Sequence, residues 1–262
     1  MINGISYGIC LSQNYDTQTV QKLIDSINMQ DHFNTPYEIL IIGEHKNDLI
    51  SHGKLIFIPF DESQKKGWIT RKKNILADKA AFDVLCLMHD YYMLSTGWFD
   101  GIQRYDQENP NWSVLCNRIT RYEGDRHSDW LVNQKYMDVL IYNYPELSKS
   151  LMSVAPTEEN GPRWVCGLPY DEKGLTHIQY ISGGYILVKT DVLRQFRFDE
   201  SYAWGEAAED IIWSEYIIKN GIRFFFNPYS LVTLQKPKKW KVYQMTDDCV
   251  LKLKELFVDE RI

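Results

Sequence analysis

The sequence predicts a single-domain α/β fold: a mixed, mainly parallel sheet flanked by helices, followed by a C-terminal helical tail. Three observations carry this. Apolar runs of strand length alternate with segments at helical spacing, the links between them are short, and polar residues gather after the strands, where ligands of such sheets bind. The 262 residues are 44% hydrophobic and 24% charged, enough for one sizeable core.

Residues 5–11 form an apolar run bounded by Asn3-Gly4 and Ser12-Gln13-Asn14, the length of a buried strand. Asp16 is placed to cap a helix in which Val20, Leu23, Ile24 and Ile27 recur at helical spacing. Residues 37–42, ended by Gly43, read as a second buried strand, and 56–58, ended by Pro59, as a third. A helix is expected over 70–82 and a fourth strand over 83–88. Residues 180–189 hold Ser182-Gly183-Gly184 ahead of another apolar strand. Residues 209–220 form a helix with Gly221 at its C-cap, and 224–226 a last strand ended by Asn227-Pro228. The stretch from about 118 to 176, with a helix expected around 136–143, reads as a loop-rich excursion beside the site.

Charge and composition exclude some classes. A formal net charge of −6 argues against a protein that grips nucleic acid, because phosphate neutralisation needs a basic face, so an anionic ligand must be met locally. Five cysteines, Cys10, Cys86, Cys116, Cys166 and Cys249, are odd in number and widely spaced, which suits small buried side chains and a reducing compartment. The first residues lack the basic segment and apolar run of a signal peptide, and no stretch approaches the roughly 20 apolar residues of a membrane span. The expected location is the cytoplasm. Eight Trp and 17 Tyr supply rings of the kind on which flat ligands dock, although composition alone favours the core for most of them.

Two constellations point to chemistry. Asp90 follows an apolar strand and emerges at the ligand edge, where a carboxylate suits a divalent cation bridging two phosphates; its bland alternative is capping a turn. Trp204-Gly205-Glu206-Ala207-Ala208-Glu209-Asp210 leads into a helix. A carboxylate at a helix start is fixed by free backbone N–H groups and stays ionised, as a general base requires. Simple capping competes with this reading, but three acids in five residues beside Trp204 and Gly205 favour chemistry. Ser182-Gly183-Gly184 marks either a bend or a close approach of backbone to ligand. Arg71, Lys72 and Lys73 add local positive charge, and each taken singly is expected on a solvated helix face.

In their order, these pieces resemble the GT-A glycosyltransferases, above all the inverting family-two transferases and the β-1,4-galactosyltransferase group. The resemblance covers about residues 4–235. It is carried by Tyr37 to Glu44 for the second strand and its acid, Gly67-Trp68-Ile69-Thr70-Arg71-Lys72-Lys73-Asn74 for the basic segment, and Met88-His89-Asp90-Tyr91 for the metal motif. Ile181-Ser182-Gly183-Gly184-Tyr185 matches the glycine strand and Trp204 to Asp210 the base motif. The departures are specific. His89 and Tyr91 stand where the family has its two metal-motif acids, Gly43 stands in the place of the base-reading acid with Glu44 one step on, and 232–235 lack the late histidine.

The resemblance implies a GT-A domain over 1–236, with a nucleotide-binding half at 1–100 and an acceptor-binding half at 101–236, and a tail at 237–262. It implies transfer from a nucleotide-sugar donor, a UDP-sugar by family habit, to a glycan or lipid-linked glycan, as in polysaccharide biosynthesis. Asp210 would be the base and Glu209 its acceptor-side partner. Ser12, Asn14, Glu44, Lys73, Asn74, His89, Asp90, Gly183 and Gly184 would meet the donor, with Mn²⁺ or Mg²⁺ on Asp90 and His89. Trp204, Gly205, Glu206 and Trp164 would meet the acceptor. The basic cluster 236–241 and the amphipathic stretch after it suit packing on the body, a homodimer contact or the inner membrane surface. Two rival classes are a nucleotidyltransferase, which would need a Gly-rich basic loop where Ser12 to Asp16 stand, and a non-catalytic carbohydrate-binding protein of the same fold.

Overall fold

The computed structural model describes residues 2–44, 49–50, 54–120, 131–133, 152–153, 164–166, 181–203 and 209–236. The first half runs β1 (Ile5–Cys10), α1 (Thr17–Asn28), β2 (Tyr37–Gly43), β3 (Lys54–Pro59), α2 (Ile69–Lys79) and β4 (Val84–His89). There follow β5 (Tyr92–Leu94), α3 (Trp98–Glu108), β6 (Val114–Thr120), and the short strands β7 (Leu131–Asn133), β8 (Met152–Ser153) and β9 (Trp164–Cys166). The chain returns through β10 (Tyr185–Lys189), α4 (Thr190–Gln195), α5 (Glu209–Lys219) and β11 (Phe224–Leu234). The main sheet has the order β3-β2-β1-β4-β10-β6-β11-β5, and β7-β9-β8 form a second, smaller sheet.

Apolar runs become central strands here because helices cover both sheet faces. Alternate residues serve opposite layers: Ile39 and Ile41 pack with α1 and α3, while Leu40 and Ile42 pack with α2, α4 and α5. Each fully buried Ile or Leu of this kind stabilises the fold by roughly 1.5–3 kcal/mol. Asp16 caps α1 as expected, accepting from the Thr19 amide at 2.9 Å. Gly221 follows α5 with φ +82°, the left-handed conformation that ends helices.

The bounds of α2, β4 and β11 differ from expectation, and one strand runs against its neighbours. α2 stops at Lys79, short of residue 82, and its first turn carries no side-chain cap, because the Thr70 hydroxyl donates to Tyr202 O at 2.7 Å instead. β4 extends through His89, so Asp90 is the first residue beyond it. Asn227-Pro228 does not end β11: the register against β6 shifts between Asn227 and Leu231, and the strand continues past this bulge to Leu234. Finally, β10 runs antiparallel to both β4 and β6 in a sheet whose β1, β2, β3 and β4 are parallel neighbours. Its N-terminal end therefore lies beside the C-terminal end of β4, Tyr185 opposite Met88. The helix expected around 136–143 and the tail 237–262 lie outside the described residues. Among the described residues, no helix is long and apolar enough to cross a membrane.

The loop after α1 contributes a titratable core group. His32 is 7% exposed, its Nε2 lies 2.8 Å from the Tyr7 hydroxyl, and its ring stacks on Tyr37 with centroids 4.0 Å apart. Burial pushes its pKa down from 6.5 to about 4, outweighing the Gln30 backbone and Asp31, which act the other way. The fold thus holds this ring neutral, so its contribution is complete above pH 6.5 and is lost as pH falls towards 4. Urea unfolding should show stability falling across that window by on the order of 3 kcal/mol from this group. The fall should be smaller in His32→Phe.

Candidate active site

The parallel strands β1 and β4 deliver their C-terminal ends to one edge, with Cys10 level with His89 in the pairing register. One residue on, the Ser12 backbone N–H donates to Asp90 Oδ2 at 2.8 Å, and the Ser12 hydroxyl donates to the same oxygen. Asp90 is 2% exposed, and its Oδ1 is buried with no hydrogen-bond partner among the described residues. His89 Nδ1 lies 3.1 Å from the Tyr91 hydroxyl, and its backbone N–H donates to Gly184 O at 2.9 Å.

The antiparallel β10 brings the Ser182-Gly183-Gly184 turn to this same edge, where α5 begins. The Gly183 N–H donates to Asp210 Oδ2 at 2.8 Å, tying the helix start to the turn. A Cβ on Gly183 would lie 3.0 Å from Asp210 Cβ, from Glu209 Oε1 and from Lys73 Nζ. Gly183 thus stands where three charged residues converge, and any side chain there would have to push one aside. Gly184 is tighter still: an added Cβ would lie 2.6 Å from the hydroxyl of Tyr92, which is completely buried.

The basic helix α2 faces the site with two buried ammonium groups. Lys72 pairs with Glu62 and donates to Leu11 O at 2.8 Å; the side chains are 3% and 4% exposed. Glu62 also accepts from the Gly67 N–H at 3.2 Å. Lys73 is 1% exposed and donates to Glu209 Oε1 at 3.3 Å, with its ammonium 4.6 Å from the centre of the Phe198 ring. The Cys10 thiol reports how close these charges lie. Burial raises its pKa to about 11, with Lys73 and Lys72 lowering it and Asp90 and Glu209 raising it more weakly.

The expectation of a solvated basic face therefore holds only for Arg71, which is exposed and pairs with Glu200 at 3.1 Å. Lys72 and Lys73 sit on the apolar stripe of α2, three and four residues after buried Ile69 and ahead of buried Leu76 and Ala77. That spacing was the available signal for their burial. Asn74 is also buried, but its amide binds Phe198 and Glu200: Nδ2 donates to Phe198 O and to Glu200 Oε1 at 2.9 Å, and Oδ1 accepts from the Phe198 N–H at 3.0 Å. It braces the segment that leads to the carboxylate motif. Asn14 and Glu44 are exposed beside the ends of β1 and β2. Trp204, Gly205 and Glu206 lie outside the described residues, and of Trp164 only its place in β9 is described. Glu62 joins the site without having been singled out, since nothing in local spacing links it to Lys72 ten positions later.

No family model matches the sequence, and no curated protein matches it. Solved structures do match. GalNAc-T7 with UDP, GalNAc and Mn²⁺ aligns at TM-score 0.69 and 14% identity, covering 99% of this chain and 49% of that one. S. aureus TarS 1-349 in complex with UDP-GlcNAc aligns at TM-score 0.60 and 14% identity, covering 97% and 66%. The fold is GT-A. This chain spans between 49% and 66% of the lengths of those two chains. On this GT-A sheet, Ser12, Lys73, His89, Asp90, Gly183, Gly184, Glu209 and Asp210 come together at the ligand edge, whereas Asn74 lies behind it as a brace.

The close approach at Gly184 has a measurable consequence. Gly184→Ala should cost about 1–3 kcal/mol in urea unfolding, because the Tyr92 ring has nowhere to retreat. Combining it with Tyr92→Phe, which removes the nearest clashing atom, should restore part of that loss.

Proposed function

We propose that this chain transfers a sugar from a nucleotide-sugar donor, a UDP-sugar, to a hydroxyl of a glycan or glycoconjugate acceptor with inversion of configuration. The observation that carries the proposal is the hydrogen bond from the Gly183 N–H to Asp210 Oδ2, which fixes a carboxylate at the strand edge beside Glu209, Lys73 and Asp90. A base must be held where the acceptor arrives, and a backbone donor at 2.8 Å orients the Asp210 carboxylate for that role. The fold adds support, since structures sharing it hold UDP with GalNAc, and UDP-GlcNAc.

In this mechanism Asp210 takes the proton of the acceptor hydroxyl as its oxygen bonds to the anomeric carbon. The bond from that carbon to the β-phosphate oxygen breaks on the opposite face, and the nucleoside diphosphate leaves with the electron pair. One displacement gives inversion. Glu209 orients the acceptor hydroxyl, and Trp204, Gly205, Glu206 and Trp164 form the acceptor side. Ser12, Asn14 and Glu44 meet the nucleoside, while Gly183 and Gly184 let backbone approach the donor sugar.

The residues present fit a divalent cation of limited demands. Asp90 keeps one buried oxygen without a partner while Ser12 holds the other, with His89 the adjacent candidate ligand. No group of three His, Cys, Asp or Glu side chains able to hold a metal occurs among the described residues. Such a donor set suits Mn²⁺ or Mg²⁺ that takes its other ligands from phosphates and water, and a cation there would stabilise charge on the departing diphosphate. Asp90 would then hold the cation, with Ser12 orienting its carboxylate.

The test is release of the nucleotide from a panel of sugar donors, a nucleoside diphosphate from UDP-, GDP- and dTDP-sugars and the monophosphate from CMP-sugars, with and without Mn²⁺. Asp210→Asn should lower turnover roughly a hundredfold to ten-thousandfold and leave donor binding by calorimetry intact. Binding without turnover on any donor, or turnover untouched by the substitution, would overturn the mechanism.

A further inference from the structure

The two buried lysines of α2 are compensated differently. Lys72 forms a closed unit: its Glu62 partner is equally buried and is held by the Gly67 N–H, and a backbone carbonyl takes another of its hydrogens. Lys73 is less completely matched. Among the described residues its ion-pair partner is Glu209, at 3.3 Å, beyond the 2.7–2.9 Å of a tight charge-assisted hydrogen bond. Glu209 is 12% exposed at the rim, in the first turn of α5, whereas the ammonium it covers is 1% exposed. The missing side chain of Gly183 lets both groups converge on the turn, since a Cβ there would lie 3.0 Å from Lys73 Nζ and from Glu209 Oε1.

A buried ammonium held by one loose carboxylate is poised to accept a better anion. A diphosphate carries more than one negative charge and several acceptor oxygens, so it outcompetes a single carboxylate for the same cation. The charge count at the edge points the same way. Among the described residues, Asp90, Glu209 and Asp210 are acidic and Lys72 is neutralised by Glu62, which leaves Lys73, with Lys236 over the Tyr91 ring, to meet an incoming anion.

We propose that Lys73 changes partner during turnover: paired with Glu209 in the free protein, it passes to the diphosphate of the donor, and the released Glu209 becomes available to the acceptor hydroxyl. Donor binding would thereby free a carboxylate on the acceptor side. This rests on the glycosyl-transfer reading for the identity of the ligand.

The experiment is calorimetric titration of UDP, in EDTA, into the wild type, Lys73→Met, Glu209→Gln and the double variant, each checked for folding by its melting transition. Lys73→Met should weaken UDP binding about tenfold or more. Glu209→Gln, which removes the competitor, should tighten binding about threefold, and this gain should vanish in the double variant, the mark of a shared interaction. Should Lys73→Met fail to fold, Lys73→Gln alone and with Glu209→Gln carries the same comparison, because it also removes the charge while keeping a polar side chain. UDP binding that Glu209→Gln leaves unchanged or weakens overturns the exchange and spares the donor site. A wild type that binds none of UDP, GDP, dTDP or CMP, either in EDTA or with Mn²⁺ added, overturns the donor reading and the exchange with it.

Discussion

A buried ammonium must be paired, and α2 buries two in succession. The desolvation penalty of such groups is several kcal/mol each and is met only by counterions held in place. Much of the site's geometry follows from this need. Lys72 draws Glu62, and with it the loop between β3 and α2, against the end of β1 through Leu11 O. Lys73 draws Glu209, and with it the start of α5, to the same edge from the other side. Two adjacent residues on one helix thus fix the loop that borders β2 and the helix that carries the carboxylate pair.

That helix could not reach the edge without the reversal of β10. Because β10 lies antiparallel between β4 and β6, the turn ahead of it stands among strand ends that otherwise belong to parallel neighbours. Its amide at Gly183 then meets Asp210, and its carbonyl at Gly184 meets the His89 N–H. The segment over 198–202 completes the frame: Asn74, Trp68 and Thr70 of the α2 region bind Phe198, Glu200 and Tyr202 by side-chain hydrogen bonds of 2.6–3.0 Å. Every element carrying a site carboxylate is thereby braced against α2 or against the Gly183 turn.

The legible parts of this structure were those set by local rules. Apolar runs marked β1, β2 and β4, Asp16 marked the start of α1, and Gly221 marked the end of α5, because strand burial, N-capping and left-handed backbone each depend on residues a few positions apart. The direction of β10 was not legible, since an apolar run reads alike in a parallel and an antiparallel neighbour. The bulge at Asn227-Pro228 looked like a strand end because proline interrupts a ladder locally, whereas pairing with β6 resumes beyond it. In the site, Asp90 and Asp210 were legible from their positions at element ends. The burial of Lys72 and Lys73 was written in the stripe from Ile69 to Ala77, but charge outweighed periodicity in reading it. Glu62 as the counterion of Lys72 is a tertiary fact with no local signature.

Under the proposed function, a nucleoside diphosphate must be met locally, against the chain's own net charge of −6. Exposed lysines would do so weakly, because solvent and salt screen them. Burial strengthens the same charge by removing that screening, but only where counterions keep the empty site stable. The counterion then becomes part of the function: one too tight, as Glu62 is on Lys72, locks the charge into the scaffold, while one placed at the rim, as Glu209 is on Lys73, stabilises the free protein and still yields to a stronger anion. Under the proposed exchange, the difference in burial between these two glutamates, 4% against 12%, would separate the lysine that holds the fold from the lysine left to the ligand.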